Sequence, residues 1–81
     1  MLGSYFIYWE VRKMKEIKID KEFIKLDQLL KYANIADTGG HAKIMILDGS
    51  VMVNDKIVTQ RGKKIRPGDI VKVDDIEIRV I

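Results

Sequence analysis

Between residues 26 and 33 the apolar positions follow a helical period. Leu26, Leu29, Leu30 and Ala33 fall at i, i+3, i+4 and i+7. This single stripe predicts a helix from about Leu26 to Ala33. Asp27 lies in its first turn, where a carboxylate suits the helix dipole, and Asn34 is a natural stop. A second helix is predicted to open after Thr38, a good N-cap. Ala42, Met45 and Ile46 form its apolar face, and Gly49 sits where a left-handed terminating residue is wanted.

After Gly49 the period becomes two. Val51 and Val53 alternate, Asn54-Asp55 supplies a tight turn, and Ile57-Val58-Thr59 returns. Arg66-Pro67-Gly68-Asp69 has Pro second and Gly third, as a type II turn requires. Ile70–Val73 and Ile76–Val80 alternate around Asp74-Asp75 and read as a second hairpin. At the other end, residues 5–11 are aromatic and β-branched, which favours a strand. Ile17 and Ile19 make residues 16–20 a further strand, with Arg12–Lys15 as an intervening turn. Two helices among short strands give an α+β class, a helix pair packed on a small antiparallel sheet.

Composition narrows the function classes. With 81 residues, the chain accommodates one domain. No cysteine is present, which excludes disulfides and thiolate metal sites and fits a reducing compartment such as the cytoplasm. No apolar run approaches the roughly 20 residues that span a bilayer. Net charge is +3, but its distribution is more informative than its sum. From Lys56 to Arg66 five residues are basic and none is acidic, whereas Asp69–Ile81 carries four carboxylates against Lys72 and Arg79. Such a local positive charge suits either a polyanion site or a solvated basic loop.

Three constellations are candidates for chemistry. Thr38-Gly39-Gly40-His41-Ala42-Lys43 opens the second helix. There, free N–H groups favour an anion, glycines permit close approach and Lys43 adds charge. An ordinary cap on a flexible loop fits the same residues, and neither GxGxxG nor GxxxxGK[ST] is present. Arg61-Gly62-Lys63-Lys64-Ile65-Arg66 is the second, with Ile65 facing the core and its basic neighbours facing out, suited to phosphate contacts. Lys25 and Lys31 flank the first helix, as phosphate contacts or as solubilising charges. His41 is the only histidine, so a zinc site is not expected. The only serines are Ser4 and Ser50, and no nucleophile stands beside His41 in sequence. No catalytic residue, metal or cofactor is therefore expected. The aromatics Tyr5, Phe6, Tyr8 and Trp9 are read as packing residues.

Taken in order, Lys25-Leu26-Asp27-Gln28-Leu29-Leu30, a capped helix ending Asp48-Gly49, Val51-Met52-Val53-Asn54 and Arg66-Pro67-Gly68-Asp69-Ile70-Val71 carry a family resemblance. The run Ile24–Val73 resembles the S-four RNA-binding domain, named after small-subunit ribosomal protein four. Thr38–Lys43 and Arg61–Lys64 resemble its small stand-alone bacterial members, the YaaA-like group. Those begin a few residues before the first strand, at a point corresponding to Met14. Residues 1–13 are therefore expected to be an extension, and 14–81 the domain.

The resemblance implies a helix pair and adjoining β-loop (the alpha-L motif) that bind folded RNA, ribosomal RNA or an assembly intermediate, without catalysis. Carried over by position, the RNA-binding residues are Lys25, Thr38, Gly39, Gly40, His41, Lys43, Arg61, Lys63, Lys64 and Arg66. Two departures weaken side-chain grip. Lys25 stands where arginine is frequent, and Gly39-Gly40 replaces a common Ser-Arg pair. The alternative reading is a protein-interaction module with an acidic partner. A ubiquitin-like carrier lacks support because no diglycine follows Arg79-Val80-Ile81, and a small hydrolase lacks a convergent nucleophile and base.

Overall fold

The first helix ends by geometry that its own sequence supplies. In the computed structural model, which describes residues 13–81, α1 spans Leu26–Tyr32. Asn34 adopts φ 60°. The Ile35 N–H reaches back to the Leu30 carbonyl at 2.9 Å and the Asn34 N–H to the Lys31 carbonyl at 3.0 Å, a Schellman closure. The predicted stripe is the buried one: Leu26, Leu29 and Leu30 are fully buried, and Ala33 nearly so. Each such leucine contributes on the order of 1.5–3 kcal/mol by leaving water.

The second helix, α2, spans Gly39–Leu47. The Thr38 Oγ1 accepts from the His41 N–H at 3.0 Å, as expected of an N-cap. Gly49 takes φ 85°, and Ser50 and Gly49 donate to the Met45 and Ile46 carbonyls. Only Ala42 and Ile46 of α2 are fully buried, with Met45 partly so. Two glycines in its first turn lower its intrinsic propensity. Its caps and its packing on α1 therefore stabilise it more than its composition does.

The strands are β1 (Lys13–Ile17), β2 (Ile24–Lys25), β3 (Val51–Val53), β4 (Lys56–Ile57), β5 (Lys64–Ile65), β6 (Ile70–Val73) and β7 (Ile76–Val80). Five form one sheet in the order β1-β7-β6-β3-β4, while β2 and β5 form a separate antiparallel pair. Val51, Val53, Val71, Val73, Ile78 and Val80 face the helices and join the α1 leucines in one core. The α+β class holds. The sheet is mixed rather than antiparallel, because β1 runs parallel to β7 from Lys13↔Ile76 to Ile17↔Val80.

That strand also corrects the reading of Arg12–Lys15 as a turn and of 16–20 as a strand. Lys13–Lys15 belong to β1, and Ile19 lies past its end, held by its N–H on the Ile81 carbonyl at 3.0 Å. The reason is tertiary. Pairing with β7 overrides the weak strand propensity of a lysine-rich segment. Lys15 is used too, its ammonium donating to the Ala33 carbonyl at 3.0 Å, at the α1 C-terminus where a cation is favourable. The strand expected over 5–11 lies outside the described residues.

The turns follow their sequences. Asn54 and Asp55 take φ 50° and 71°, the paired left-handed conformation of a type I′ hairpin. Gly68 takes φ 101°, and the Asp69 N–H bonds the Arg66 carbonyl at 3.0 Å, closing the type II turn. Among the described residues, a chain beginning at Met14 forgoes the terminal Lys13↔Ile76 pair of the β1 ladder. It is expected to melt cooperatively within a few degrees of the parent by circular dichroism. Loss of the transition would assign residues 1–13 to the core.

Candidate nucleic-acid interface

Every α-helix begins with amides that lack intrahelical partners. In α1 the N-cap residue, Lys25, makes no side-chain capping bond, and the Asp27 carboxylate accepts the Gln28 N–H at 2.7 Å. The basic loop satisfies the two amides before it. The Lys63 carbonyl accepts from the Leu26 N–H at 2.9 Å, and the Arg61 carbonyl accepts from the Asp27 N–H at 3.1 Å. A turn closed by the Lys63 N–H on the Gln60 carbonyl shapes the loop between them. With their carbonyls committed to the helix, the exposed Arg61 and Lys63 side chains are carried at its opening.

The β2–β5 pair continues this join. Ile24 lies opposite Ile65 and Lys25 opposite Lys64, with Ile65 fully buried as expected. The Lys64 ammonium sits 4.9 Å from the centre of the Phe23 ring, a cation–π contact that steadies it and leaves its N–H donors available. The structure thus unites Lys25, Arg61, Lys63 and Lys64, which are separated by nearly forty positions in the chain.

Arg66 is held through a second clamp. The Asp69 Oδ2 accepts the Arg66 N–H at 2.8 Å, while its Oδ1 accepts from the Asn54 side-chain amide at 3.0 Å. Asn54 completes the clamp with its Oδ1 on the Ile70 N–H and its own N–H on the Ile70 carbonyl. Two motif residues, Asn54 and Asp69, therefore fasten the type II turn to the β3–β4 hairpin. Their part is to position Arg66.

The Thr38–Lys43 segment opens α2, which packs on α1. Its cap is reciprocal. The Thr38 Oγ1 takes the His41 N–H, and the His41 Nδ1 takes the Asp37 N–H at 3.2 Å, in the manner of a capping box. With Nδ1 so engaged, His41 here is a cap. Gly39 and Gly40 are exposed, and added Cβ atoms would meet nothing closer than the Thr38 Oγ1, 3.8 Å from that of Gly40. Packing does not require either glycine.

Sequence reasoning missed Phe23, the Asn54–Asp69 clamp and Lys56. Lys56 stood in the basic run, but its place on β4 is visible only in three dimensions. It helps line a groove of about 360 Å³ together with Val53, Val58, Lys63, Lys64 and Arg66. Two carboxylates adjoin the cations in space, Asp69 in this groove and Asp27 at the α1 opening, although none lies within the run itself. Lys72, by contrast, is engaged by Asp55 at 2.9 Å. Among the described residues, no three His, Cys, Asp or Glu side chains are grouped to hold a metal, and no helix is long and apolar enough to cross a membrane. The arrangement presents several cations on rigid main chain, a geometry suited to anions.

The clamp yields a stability prediction. Asn54→Ala removes two side-chain hydrogen bonds and disfavours the left-handed φ, and is expected to cost about 1–3 kcal/mol. At ~4–8 °C per kcal/mol for a domain of this size, the melting temperature should fall accordingly. An unchanged melt would show that the clamp contributes nothing.

Residues 17–81 match the family described as the S4 domain. A relative from Bacillus subtilis (strain 168), named probable ribosome maturation protein RlbA, is 41% identical over 58 residues. That alignment covers 72% of this chain and 82% of the relative.

Proposed function

This chain belongs to the S4 domain family, and on that footing we propose that it binds structured RNA without catalysing a reaction. The RNA is ribosomal RNA or a ribosome assembly intermediate, and the work is done in the cytoplasm. The site comprises Lys25, Arg61, Lys63, Lys64 and Arg66 on the loop side, with Thr38, Gly39, Gly40, His41 and Lys43 at the opening of α2. The folded unit is residues 14–81.

One observation carries the reading. Main-chain bonds from Arg61 and Lys63 to the first amides of α1, and the pairing of Lys25 with Lys64, gather separated cations onto one rigid surface. A merely solvated basic loop has no need of that fastening. Rigid cations suit a folded polyanion, because phosphates supply affinity and the fixed spacing supplies selectivity for shape. The printed name of the relative, a ribosome maturation protein, supports the choice of RNA. The unrequired glycines at α2 support the second contact. Each lowers helix propensity by as much as ~1 kcal/mol relative to alanine, and a phosphate approaching the backbone gives a reason to retain them.

Two measurements test the reading. In a salt titration with a folded ribosomal RNA fragment, log affinity should fall linearly with log salt. Replacing Lys63 and Lys64 with alanine should lower affinity and flatten the slope by roughly one to two units. The melt should hardly move, because exposed loop substitutions usually cost about 0.5 kcal/mol or less. A folded double variant with the parent's affinity and slope would remove the loop from the RNA site and favour an acidic protein partner.

Gly40→Ala should leave the melt unchanged or raise it, by up to ~1 kcal/mol, while weakening RNA binding. Unchanged affinity would reduce the Thr38–Lys43 segment to a helix cap.

A further inference from the structure

Directly opposite residues of an antiparallel pair carry their side chains on the same face, with Cβ atoms about 4.5–5.5 Å apart. In the β2–β5 pair, Ile24 lies opposite Ile65 and Lys25 opposite Lys64. The isoleucines turn to the core, Ile65 fully buried and Ile24 partly. Both lysines are exposed on the other face. Two like charges are thereby set side by side, an arrangement that destabilises the free pair. Neither lysine has a carboxylate partner among the described residues. The Asp27 carboxylate, two positions from Lys25, is turned to the Gln28 N–H instead.

A lysine ammonium rides on a flexible four-carbon stem. Two of them facing each other splay apart unless something holds them, and the spacing between them is lost. Phe23 supplies the hold on one side. Two positions before Lys25, it shares that side of the chain, and its ring centre lies 4.9 Å from the Lys64 ammonium. The ring face attracts the cation without consuming any of its three N–H donors. Phe23 is itself half-buried, so the platform is steadier than the side chain it holds.

We propose that Lys25 and Lys64 seat one phosphate of the bound RNA between them, and that Phe23 is the positioning residue that holds Lys64 at the spacing the phosphate requires. This rests on the RNA-binding reading and gives it one defined contact. A phosphate presents oxygens to both ammonium groups, and its charge cancels the repulsion that the free protein bears. A spacing formed in advance leaves less side-chain freedom to be lost on binding. Phe23, which carries no charge, thus contributes to affinity for a polyanion.

The experiment has two arms. In the first, the full chain is titrated with inorganic phosphate at constant ionic strength, and the side-chain Hε signals of Lys25 and Lys64 are followed by NMR. Both should move with one shared midpoint. Lys25→Gln should weaken the response of Lys64 roughly three- to tenfold, as loss of one charge-assisted contact predicts. Separate midpoints, or a Lys64 response untouched by Lys25→Gln, would overturn the seat.

In the second arm, affinity for a folded ribosomal RNA fragment is measured for Phe23→Leu and Phe23→Tyr, with a circular-dichroism melt of each. Leucine keeps an apolar side chain and removes the ring. It should lower affinity roughly two- to fivefold, with the salt slope unchanged because both cations remain. Tyrosine should restore the parent's affinity. In a Lys64→Gln chain, Phe23→Leu should have no further effect, since it acts through that lysine. No loss from Phe23→Leu, an equal loss with and without Lys64, or no rescue by tyrosine would reduce Phe23 to packing. RNA affinity also separates the two claims. Tight RNA binding with lysines that respond independently refutes the seat and leaves the basic surface standing. Phosphate shared by both lysines without RNA affinity sustains the seat and refutes the RNA reading.

Discussion

The opening of α1 is the constraint on which the rest of the site depends. Buried leucines hold this helix against the sheet, and its first amides need acceptors. A Ser, Thr, Asp or Asn at position 25 could have taken one of them, at the second or third helical residue. With Lys25 there, the Lys63 and Arg61 carbonyls supply the acceptors for the first two, Leu26 and Asp27. The need to satisfy a helix end thus becomes the device that fixes two cationic side chains. A loop held by main chain also keeps its side chains at the surface without burying charge, and no charged residue is buried among the described ones.

Around that join the fold adds two further fastenings. Ile65 anchors the loop's end in the core, and the β2–β5 pair aligns Lys25 with Lys64. The Asn54–Asp69 clamp holds the following turn against the hairpin. The two together draw the basic run across the ends of a helix and a sheet, the surface that we propose meets phosphates. The remaining face of the sheet, with Met52, Lys72 and Glu77 aligned across β3, β6 and β7, carries charges of both signs and apolar groups. Lys72 there is matched by Asp55.

Local rules made most of the architecture legible. The Leu26–Ala33 stripe, the Thr38 cap, Asn34 and Gly49 as stops, and the Pro67-Gly68 turn each depend on residues within a few positions of one another. What escaped depended on distant partners. Lys13–Lys15 became strand because β7 was available beside them, and nothing local in a lysine-rich stretch signals a parallel neighbour. The candidate cations were legible as a charge run, but their union with Lys25 rests on hydrogen bonds spanning nearly forty positions. His41 had been grouped with possible RNA contacts, and its engaged Nδ1 shows a capping part that its spacing from Asp37 permitted but did not announce.

The central claim is that the loop fastened to α1 is where RNA is held. Amide NMR of the full chain with a folded RNA hairpin tests it most directly, with each signal followed as RNA is added at low salt and again at high salt. The account predicts that the largest shifts fall on Lys25, on Arg61 through Arg66 and on Gly39 through Lys43, and that they diminish as salt rises. Shifts concentrated instead on the open sheet face, at Met52, Lys72 and Glu77, with the loop amides unmoved, would contradict it.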